Sequence, residues 1–468
     1  MKIYDTLSGR KKRITKKGEK KFFVCGPTVY DYAHIGHART YVAFDFIVKY
    51  LRSKGWDIFY LQNITNIDDK IIDKSNEEGK SAFAVASFFE NTYYEDMRIL
   101  GVDSVNEYAK ASDHIEEIKK QIKTLIKKDY AYQTKQGVYF EIKKFKRYGK
   151  LSRQKIDKQR SGSRIDPDPD KKDSSDFALW KFSKTKGEPA WEAPWGRGRP
   201  GWHIEDTAIT EKFFGPQYHI HGGAEDLKFP HHEAEIAQQE SASSKKPFVK
   251  FWLHTGVLTT KKGEKMSKSL KNFVSIRKFL NKHSPELLRW LIISHHYRSK
   301  LPYSNKTLKQ AEKSLANIKN FLGKVSMIIN SKKSIDEDKR IKVKSKIKRM
   351  EKGFNESMKD DFNTPKAIGE IFNLIKNVQP NIWSIKKEKL EMVSKSIKEL
   401  LLSLGLEIQE ETTPTKVKSL VRKREKLRSN EQFIKADDLR KKILGLGYEV
   451  EDTPIGPFVT RKIDDEIL

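Results

Sequence analysis

Cysteine is all but missing from this chain of 468 residues, and its single occurrence, Cys25, rules out an intramolecular disulfide. Stability must come from buried apolar area, which a chain of this length supplies in roughly three domains. Long apolar runs are missing too. No window approaches the roughly 18 consecutive apolar residues of a membrane span, and a charged content of 33% leaves no room for one. The opening Met1-Lys2-Ile3-Tyr4-Asp5 has no apolar signal core, so the chain is expected to be cytoplasmic. Acidic residues are the scarcer charge: 93 Lys and Arg against 63 Asp and Glu leave a formal charge of +30. Such a field attracts polyanions in a salt-dependent way, nucleic acid first among them, although a composition rich in Lys, Ile and Asn produces part of it by itself. Aromatic residues at 11% argue against disorder.

Lys21-Phe22-Phe23-Val24-Cys25 is a short apolar run that breaks at Gly26-Pro27, as a buried strand ends in a turn. From Gly36 to about Arg52, the pairs Val42/Ala43, Phe46/Ile47 and Tyr50/Leu51 recur at four-residue spacing, which predicts a helix with one buried face, ended by Gly55. Ile58-Phe59-Tyr60-Leu61 gives the next strand. Strand, helix, strand in a parallel sheet means a right-handed crossover, so the fold class is α/β, with a Rossmann-like doubly wound parallel sheet whose first half spans 1–111. Residues 112–200 interrupt that pattern with a helix, a hairpin near Gly137-Val138-Tyr139-Phe140 and a charged stretch from Arg164 to Asp173, and are read as an inserted connective domain. The pattern resumes over 201–304 with Tyr218-His219-Ile220-His221 and Phe251-Trp252-Leu253-His254. From Asn305 the sequence turns into long Lys-rich amphipathic helices. Its end, Gly447 to Asp452 and Pro457 to Thr460, predicts a small strand pair after two helices.

His34-Ile35-Gly36-His37 falls at the junction of the first strand and the long helix, which in an open α/β sheet is the crevice where ligands sit. The helix N-terminus offers unpaired N–H groups and a partial positive charge there. Gly36 lets a flat ligand approach the backbone, and two imidazoles can donate hydrogen bonds to phosphoryl oxygens. Neither histidine need act as a base. A histidine pair on its own is more often surface or capping decoration. What lifts it is Gly263-Glu264-Lys265-Met266-Ser267-Lys268-Ser269, a loop after a strand with two lysines three residues apart. Such a loop can close over a triphosphate. Attack by a carboxylate on the α-phosphate spreads negative charge over the reacting oxygens and the departing pyrophosphate, so mobile ammonium groups, Lys268 first and Lys265 beside it, stabilise mainly the transition state. In a chain so rich in Lys a bare pair of lysines reads as a solvated loop; the full pentapeptide is far rarer.

Together these motifs resemble the two signatures of class I aminoacyl-tRNA synthetases. Cys25-Gly26-Pro27-Thr28-Val29-Tyr30-Asp31, Asn63-Ile64-Thr65-Asn66-Ile67-Asp68-Asp69-Lys70, Gly201-Trp202-His203-Ile204-Glu205, and His221-Gly222-Gly223 through Phe229-Pro230-His231-His232-Glu233 closely resemble the cysteinyl-tRNA synthetase family. Asp360-Asp361-Phe362-Asn363-Thr364-Pro365 and Ala436-Asp437-Asp438-Leu439-Arg440 carry the resemblance nearly to the C-terminus. It implies an enzyme that activates L-cysteine with ATP, accompanied by Mg2+, and transfers it to tRNA(Cys), acting without a membrane and as a monomer or a dimer. It also assigns 305–405 to an α-helical bundle and 406–468 to a small C-terminal α+β module that reads the anticodon. Basic helices such as Lys416 to Lys426 would meet phosphates there. Phe458 would either stack on an unpaired base or fill the module's core.

In the resembled family a zinc ion reads the substrate by coordinating its thiolate, which serine imitates poorly, so selectivity arises without an editing site. Matching positions give Cys25, His231 and Glu235 as ligands, the last two spaced so that one helical turn could hold both. Taken alone, Cys25 would read as a buried inert thiol and His231-His232 as ordinary polar residues at a helix start. At the fourth position the chain departs from the common pattern: Asp206 stands where a second cysteine is usual. Asp can ligate zinc at about 2.0–2.2 Å, with one thiolate fewer making the ion harder. Three readings follow: Asp206 is a ligand in a Cys-Asp-His-Glu site, which is preferred; it sits beside a three-ligand site; or no metal binds. By the same resemblance Gly26, Thr65, Trp202 and His231 line the amino-acid pocket, and Asp226 after Gly222-Gly223 either meets the adenosine or caps the following helix. Two other functions compete: a cysteine ligase acting on a small amine, against which the long C-terminal region speaks, and a non-catalytic RNA-binding relative, in which the phosphate-binding motifs should be eroded.

Overall fold

The apolar run after Glu19 becomes the central strand of a five-stranded sheet in which every pairing is parallel. In chain order the strands are β1 (Lys20–Val24), β2 (Ile58–Ile64), β3 (Glu107–Lys110), β4 (Tyr218–Ala224) and β5 (Val249–Thr255). Across the sheet they run β3-β2-β1-β4-β5. Phe22, Phe23 and Val24 of β1 are fully buried, as expected of a strand covered on both faces. The order reverses between β1 and β4. That reversal creates a crevice beyond the carboxyl ends of the two strands, where the chain leaves β1 at Cys25 and β4 at Ala224.

The computed structural model describes residues 1–154, 169–184, 187–260, 263–264, 266, 273–332, 342–409 and 412–463. These divide into two units, Met1–Pro285 with Tyr297–Leu301, and Glu286–His296 with Pro302–Leu468. No helix among the described residues is long and apolar enough to cross a membrane.

In the first unit, α1 (Ile35–Ser53) makes the crossover from β1 to β2. The sequence predicts one buried face; of the 19 residues, 14 are buried. Two charged side chains are buried with the apolar ones and hydrogen-bond to backbone groups. Arg39 donates to the carbonyls of Tyr297 and Ser299 at 3.0 and 3.1 Å, and Asp45 accepts the N–H groups of Asp103 and Ser104. β3, Glu-Tyr-Ala-Lys in sequence, carries no apolar run that would predict a strand; its place at the sheet edge explains its polarity.

The region read as an insertion contains α2 (Ile115–Lys127) and a four-stranded antiparallel sheet, Ala131–Gln133, Gly137–Phe140, Phe177–Phe182 and Gly198–Pro200 in that order. The chain then returns through α3 (Ile204–Phe214), and α4 (His231–Ser243) lies between β4 and β5. Val138, Phe140 and Trp180 of the inserted sheet share one apolar core with Ile118 of α2, Ile209 of α3 and Phe23 of β1. The first part of the charged stretch, Arg164 to Asp168, lies outside the described residues.

The second unit packs helices Asn305–Ile329, Val343–Lys359, Thr364–Val378 and Lys387–Ser403, with buried residues at helical spacing, Leu308, Ala311, Leu315, Ile318 and Leu322 in the first. Glu286–His296 packs here as well, Trp290 Nε1 donating to Ser314 Oγ at 2.7 Å. The Asp360 to Pro365 motif is a helix start. Asp361 and Phe362 take positive φ, Asn363 caps through Lys366 N–H, and Pro365 sits in the first turn. After helices Thr415–Ser429 and Phe433–Gly445, Tyr448–Thr453 pairs antiparallel with Gly456–Arg461 around a small core of Val417, Val421, Ile443 and Val450. Phe458 is not part of that core. Its half-buried ring lies against Gly323 with Lys324 Nζ 5.6 Å from the ring centre.

Candidate active site

A cavity of about 640 Å³ occupies the crevice at the reversal of strand order. Cys25, Gly26, His34, Gly36, His37 and Thr65 line it, and so do Trp202, Asp206, Asp226 and His231 from the far half of the unit. Glu235 adjoins it through His231, one helical turn away on α4. Lys265 and Lys268 lie outside the described residues, but Met266 between them lines the same cavity. Asp226 does not cap α4, whose N-cap is Pro230 with no side-chain cap bond; it sits in the turn Glu225–Lys228 and faces the cavity.

His34 and His37 build the start of α1. His34 is the N-cap; its Nδ1 accepts the N–H of His37 at 3.1 Å, and His37 Nδ1 accepts the N–H of His34 at 3.2 Å. The rings stack 3.9 Å apart and 2° from parallel. This reciprocal cap has a chemical consequence. With Nδ1 of each neutral ring accepting a backbone proton, the ring proton must reside on Nε2, so both imidazoles are set as Nε2–H donors. Gly36 is required between them, because a Cβ there would meet the His34 ring at 2.8 Å.

At the other end of the cavity four buried donors converge. Cys25 Sγ, Asp206, His231 and Glu235 place one ligand atom each within 4.8 Å of all the others. His231 Nε2 is 3.0 Å from Asp206 Oδ2 and 3.0 Å from Glu235 Oε1, and Cys25 Sγ is 3.7 Å from Glu235 Oε1. Burial pushes the Cys25 thiol well up, helped by Glu235 and Asp206, and raises the Glu235 carboxyl to about 7 against the pull of His231. Burial opposes protonation of His231, but Glu235 and Asp206 outweigh it and raise that imidazole to about 10. Glu235 Oε2 is buried with no hydrogen-bond partner. Three acidic donors crowd one imidazole among buried side chains, an arrangement a divalent cation would relieve; the donor set fits a metal.

Several other residues of the sequence motifs, most of them with no role assigned from sequence, find one here. His203 Nδ1 lies 2.8 Å from His231 Nδ1; burial and then His231 hold it neutral, so it accepts, fixing the ring whose Nε2 faces Asp206. Behind Cys25 stands a line of buried neutral imidazoles. His221 Nε2 and His232 Nε2 are both 3.2 Å from Sγ, His232 Nδ1 is 2.8 Å from His254 Nε2, and His254 Nδ1 is 2.8 Å from Thr6 Oγ1. Trp202 stacks on His231 at 4.4 Å. Asn63 bridges Gly26 and Asp206. The available signal was the clustering of histidines in three short motifs; nothing in one dimension shows which ring meets which.

Residues 11–313 match the catalytic domain of class I (C) tRNA synthetases, and residues 353–409 match the DALR domain. A cysteine–tRNA ligase of Caldicellulosiruptor saccharolyticus is 41% identical over 467 residues, 98% of this chain and 100% of that one. The chain belongs to the cysteine–tRNA ligase family. Cysteine–tRNA ligases of Thermoplasma volcanium and Pyrococcus horikoshii, 42% and 41% identical, each cover 97% of the chain and 98% and 97% of their own length. The fold of this ligase is shared with Mycobacterium tuberculosis methionyl-tRNA synthetase in complex with methionyl-adenylate, with a TM-score of 0.58 at 15% identity over 83% of this chain and 90% of that one.

Proposed function

We propose that this cavity joins L-cysteine to ATP, accompanied by Mg2+, forming cysteinyl adenylate and pyrophosphate, and then passes the cysteine to the 3′-terminal adenosine of tRNA(Cys), releasing AMP. One observation carries this reading: His34 and His37, paired as Nε2–H donors, line the same cavity as Cys25, Asp206 and His231 of the four-residue donor set that Glu235 completes. The four donors would hold zinc, which when bound supplies a soft Lewis acid that takes a thiolate in preference to a hydroxyl. Gly26, Thr65 and Trp202 would enclose the rest of the amino acid. Its carboxylate then attacks the α-phosphate and pyrophosphate leaves, a step in which no proton is transferred. Both histidines act as fixed donors to the oxygens gaining charge, supported by the N-terminus of α1. Asp226 would meet the adenosine, and Lys265 and Lys268 would neutralise the departing pyrophosphate.

Pyrophosphate exchange with cysteine, serine and threonine, followed by charging of bulk tRNA, tests the whole reading. Exchange with cysteine alone and charging of tRNA are expected; exchange without charging would point to a ligase for a small acceptor, and neither to a non-catalytic RNA binder. The purified enzyme is expected to hold one zinc per chain, and Asp206→Ala to lower that content on elemental analysis. Unchanged zinc in the variant would remove Asp206 from the ligand set.

The second unit supports the RNA half of the reading. Lys423, Lys426, Lys435 and Lys442 line a surface cavity together with Leu427, Asn430, Asp438 and Leu439, a predominantly basic lining suited to a nucleic-acid phosphate backbone. Replacing the four lysines with alanine is expected to raise KM for tRNA at least about tenfold and to flatten the salt dependence of charging, with cysteine-dependent exchange unaltered. Equal loss in both assays would show that the lysines act through folding.

A further inference from the structure

Asp206 presents two oxygens, and they have different partners. Oδ2 is the atom 3.0 Å from His231 Nε2; Oδ1 accepts a hydrogen bond from Asn63 Nδ2 at 2.6 Å. Asn63 is 1% exposed and every polar group of its side chain is engaged. Its Oδ1 accepts the N–H of Gly26 at 2.6 Å, and Nδ2 also reaches Thr65 Oγ1 at 3.3 Å. The orientation of the amide is fixed by these partners: turned over, it would set its oxygen against a carboxylate and its NH2 against a backbone N–H.

We infer that Asn63 is a positioning residue that makes Asp206 a one-oxygen metal ligand and so lets a carboxylate serve where a single-atom thiolate donor would otherwise stand. A carboxylate left to itself can rotate, bind through both oxygens or turn away, each of which changes the geometry offered to the ion. Asn63 removes that freedom by occupying Oδ1, and it ties the carboxylate to the backbone beside Cys25, the ligand on the opposite element. A thiolate has a single donor atom and is a weak acceptor for N–H, so the same amide would do little for a cysteine at 206.

This inference rests on the proposed role of Asp206 as a ligand, and a double-mutant cycle separates the two. Zn2+ affinity of the full chain, stripped and then titrated in competition with a chromophoric chelator, is measured for wild type, Asn63→Ala, Asp206→Cys and the double variant, with Asp206→Ala alongside. Asn63→Ala is expected to weaken Zn2+ binding about 10- to 100-fold when Asp206 is present and less than about 3-fold when Cys occupies 206. Losing the Gly26 contact is common to both backgrounds and cancels. Equal weakening in the two backgrounds, or none in either, overturns the positioning role while leaving Asp206 a ligand. Unchanged affinity in Asp206→Ala overturns the ligand role and the inference with it. Asn63→Ser, a smaller perturbation of the fold, is carried in parallel and must show the same dependence on residue 206.

Discussion

Replacing Gly26 with alanine is expected to abolish cysteine activation, lowering cysteine-dependent pyrophosphate exchange by at least about 100-fold. The methyl group would lie 1.6 Å from the carbonyl oxygen of Asn63 and 2.7 Å from its carbonyl carbon. Both are backbone atoms, so no rotamer change relieves the overlap, and the chain leaving β1 must be pushed from the end of β2, with which Val24 pairs through Gln62. The displacement breaks the 2.6 Å hydrogen bond from Gly26 N–H to Asn63. It also carries Cys25, the adjacent residue, away from Asp206 and Glu235. Zinc content and exchange should therefore fall together, with a lower melting temperature. An alanine variant with ordinary zinc and ordinary exchange would show that this close approach has no bearing on the site.

The second large effect concerns the paired histidines, whose two duties can be separated. As a reciprocal cap, the pair satisfies backbone N–H groups at the start of α1, worth about 0.5–2 kcal/mol of stability when an N-cap is truncated. In the proposed reaction the same rings, as Nε2–H donors, would stabilise charge on the α-phosphate, where losing a fixed donor costs about 10²–10³ in rate. Asparagine can still accept the backbone N–H but cannot place a donor where Nε2 stands. His34→Asn and His37→Asn should therefore keep the wild-type melting temperature while losing about 100-fold or more in the rate of exchange, with smaller changes in KM for ATP and cysteine. Alanine at either position should lose both rate and stability. Full exchange activity in the asparagine variants would reduce the pair to a helix cap.

Much of the fold was legible in one dimension because the elements that build it are strongly patterned. The strand ending at Gly26-Pro27, the helix after Gly36 and the strand at Ile58 appear as read, with small shifts at their ends. Where the reading went astray, the local pattern was overruled by packing. The Val42 to Leu51 spacing indicates one buried face, but α1 is covered nearly all round, and Arg39 and Asp45 could not have been assigned to the interior without knowing the carbonyls and N–H groups they bond. β3 lacks any apolar run and becomes a strand only by pairing with β2. Phe458, by its composition a core or stacking residue, lies against Gly323, more than 130 positions earlier in the chain.

What the sequence determined alone was the chemistry: the types of side chain able to hold phosphate, thiolate and metal, grouped in short motifs whose order identifies the family. These are local properties, since a histidine pair at a helix start caps and donates through neighbours three residues apart. The tertiary structure decided how distant motifs combine. Cys25 meets Asp206, His231 and Glu235 because β1 and β4 lie side by side where the strand order reverses, and that adjacency depends on register and sheet order rather than on any local preference. It also decided that Asn63, a residue to which the sequence assigns no task, stands between the backbone beside Cys25 and the far oxygen of Asp206. A hydrogen bond needs its two atoms within about 3 Å, and only the packed sheet brings residues 143 positions apart to that distance.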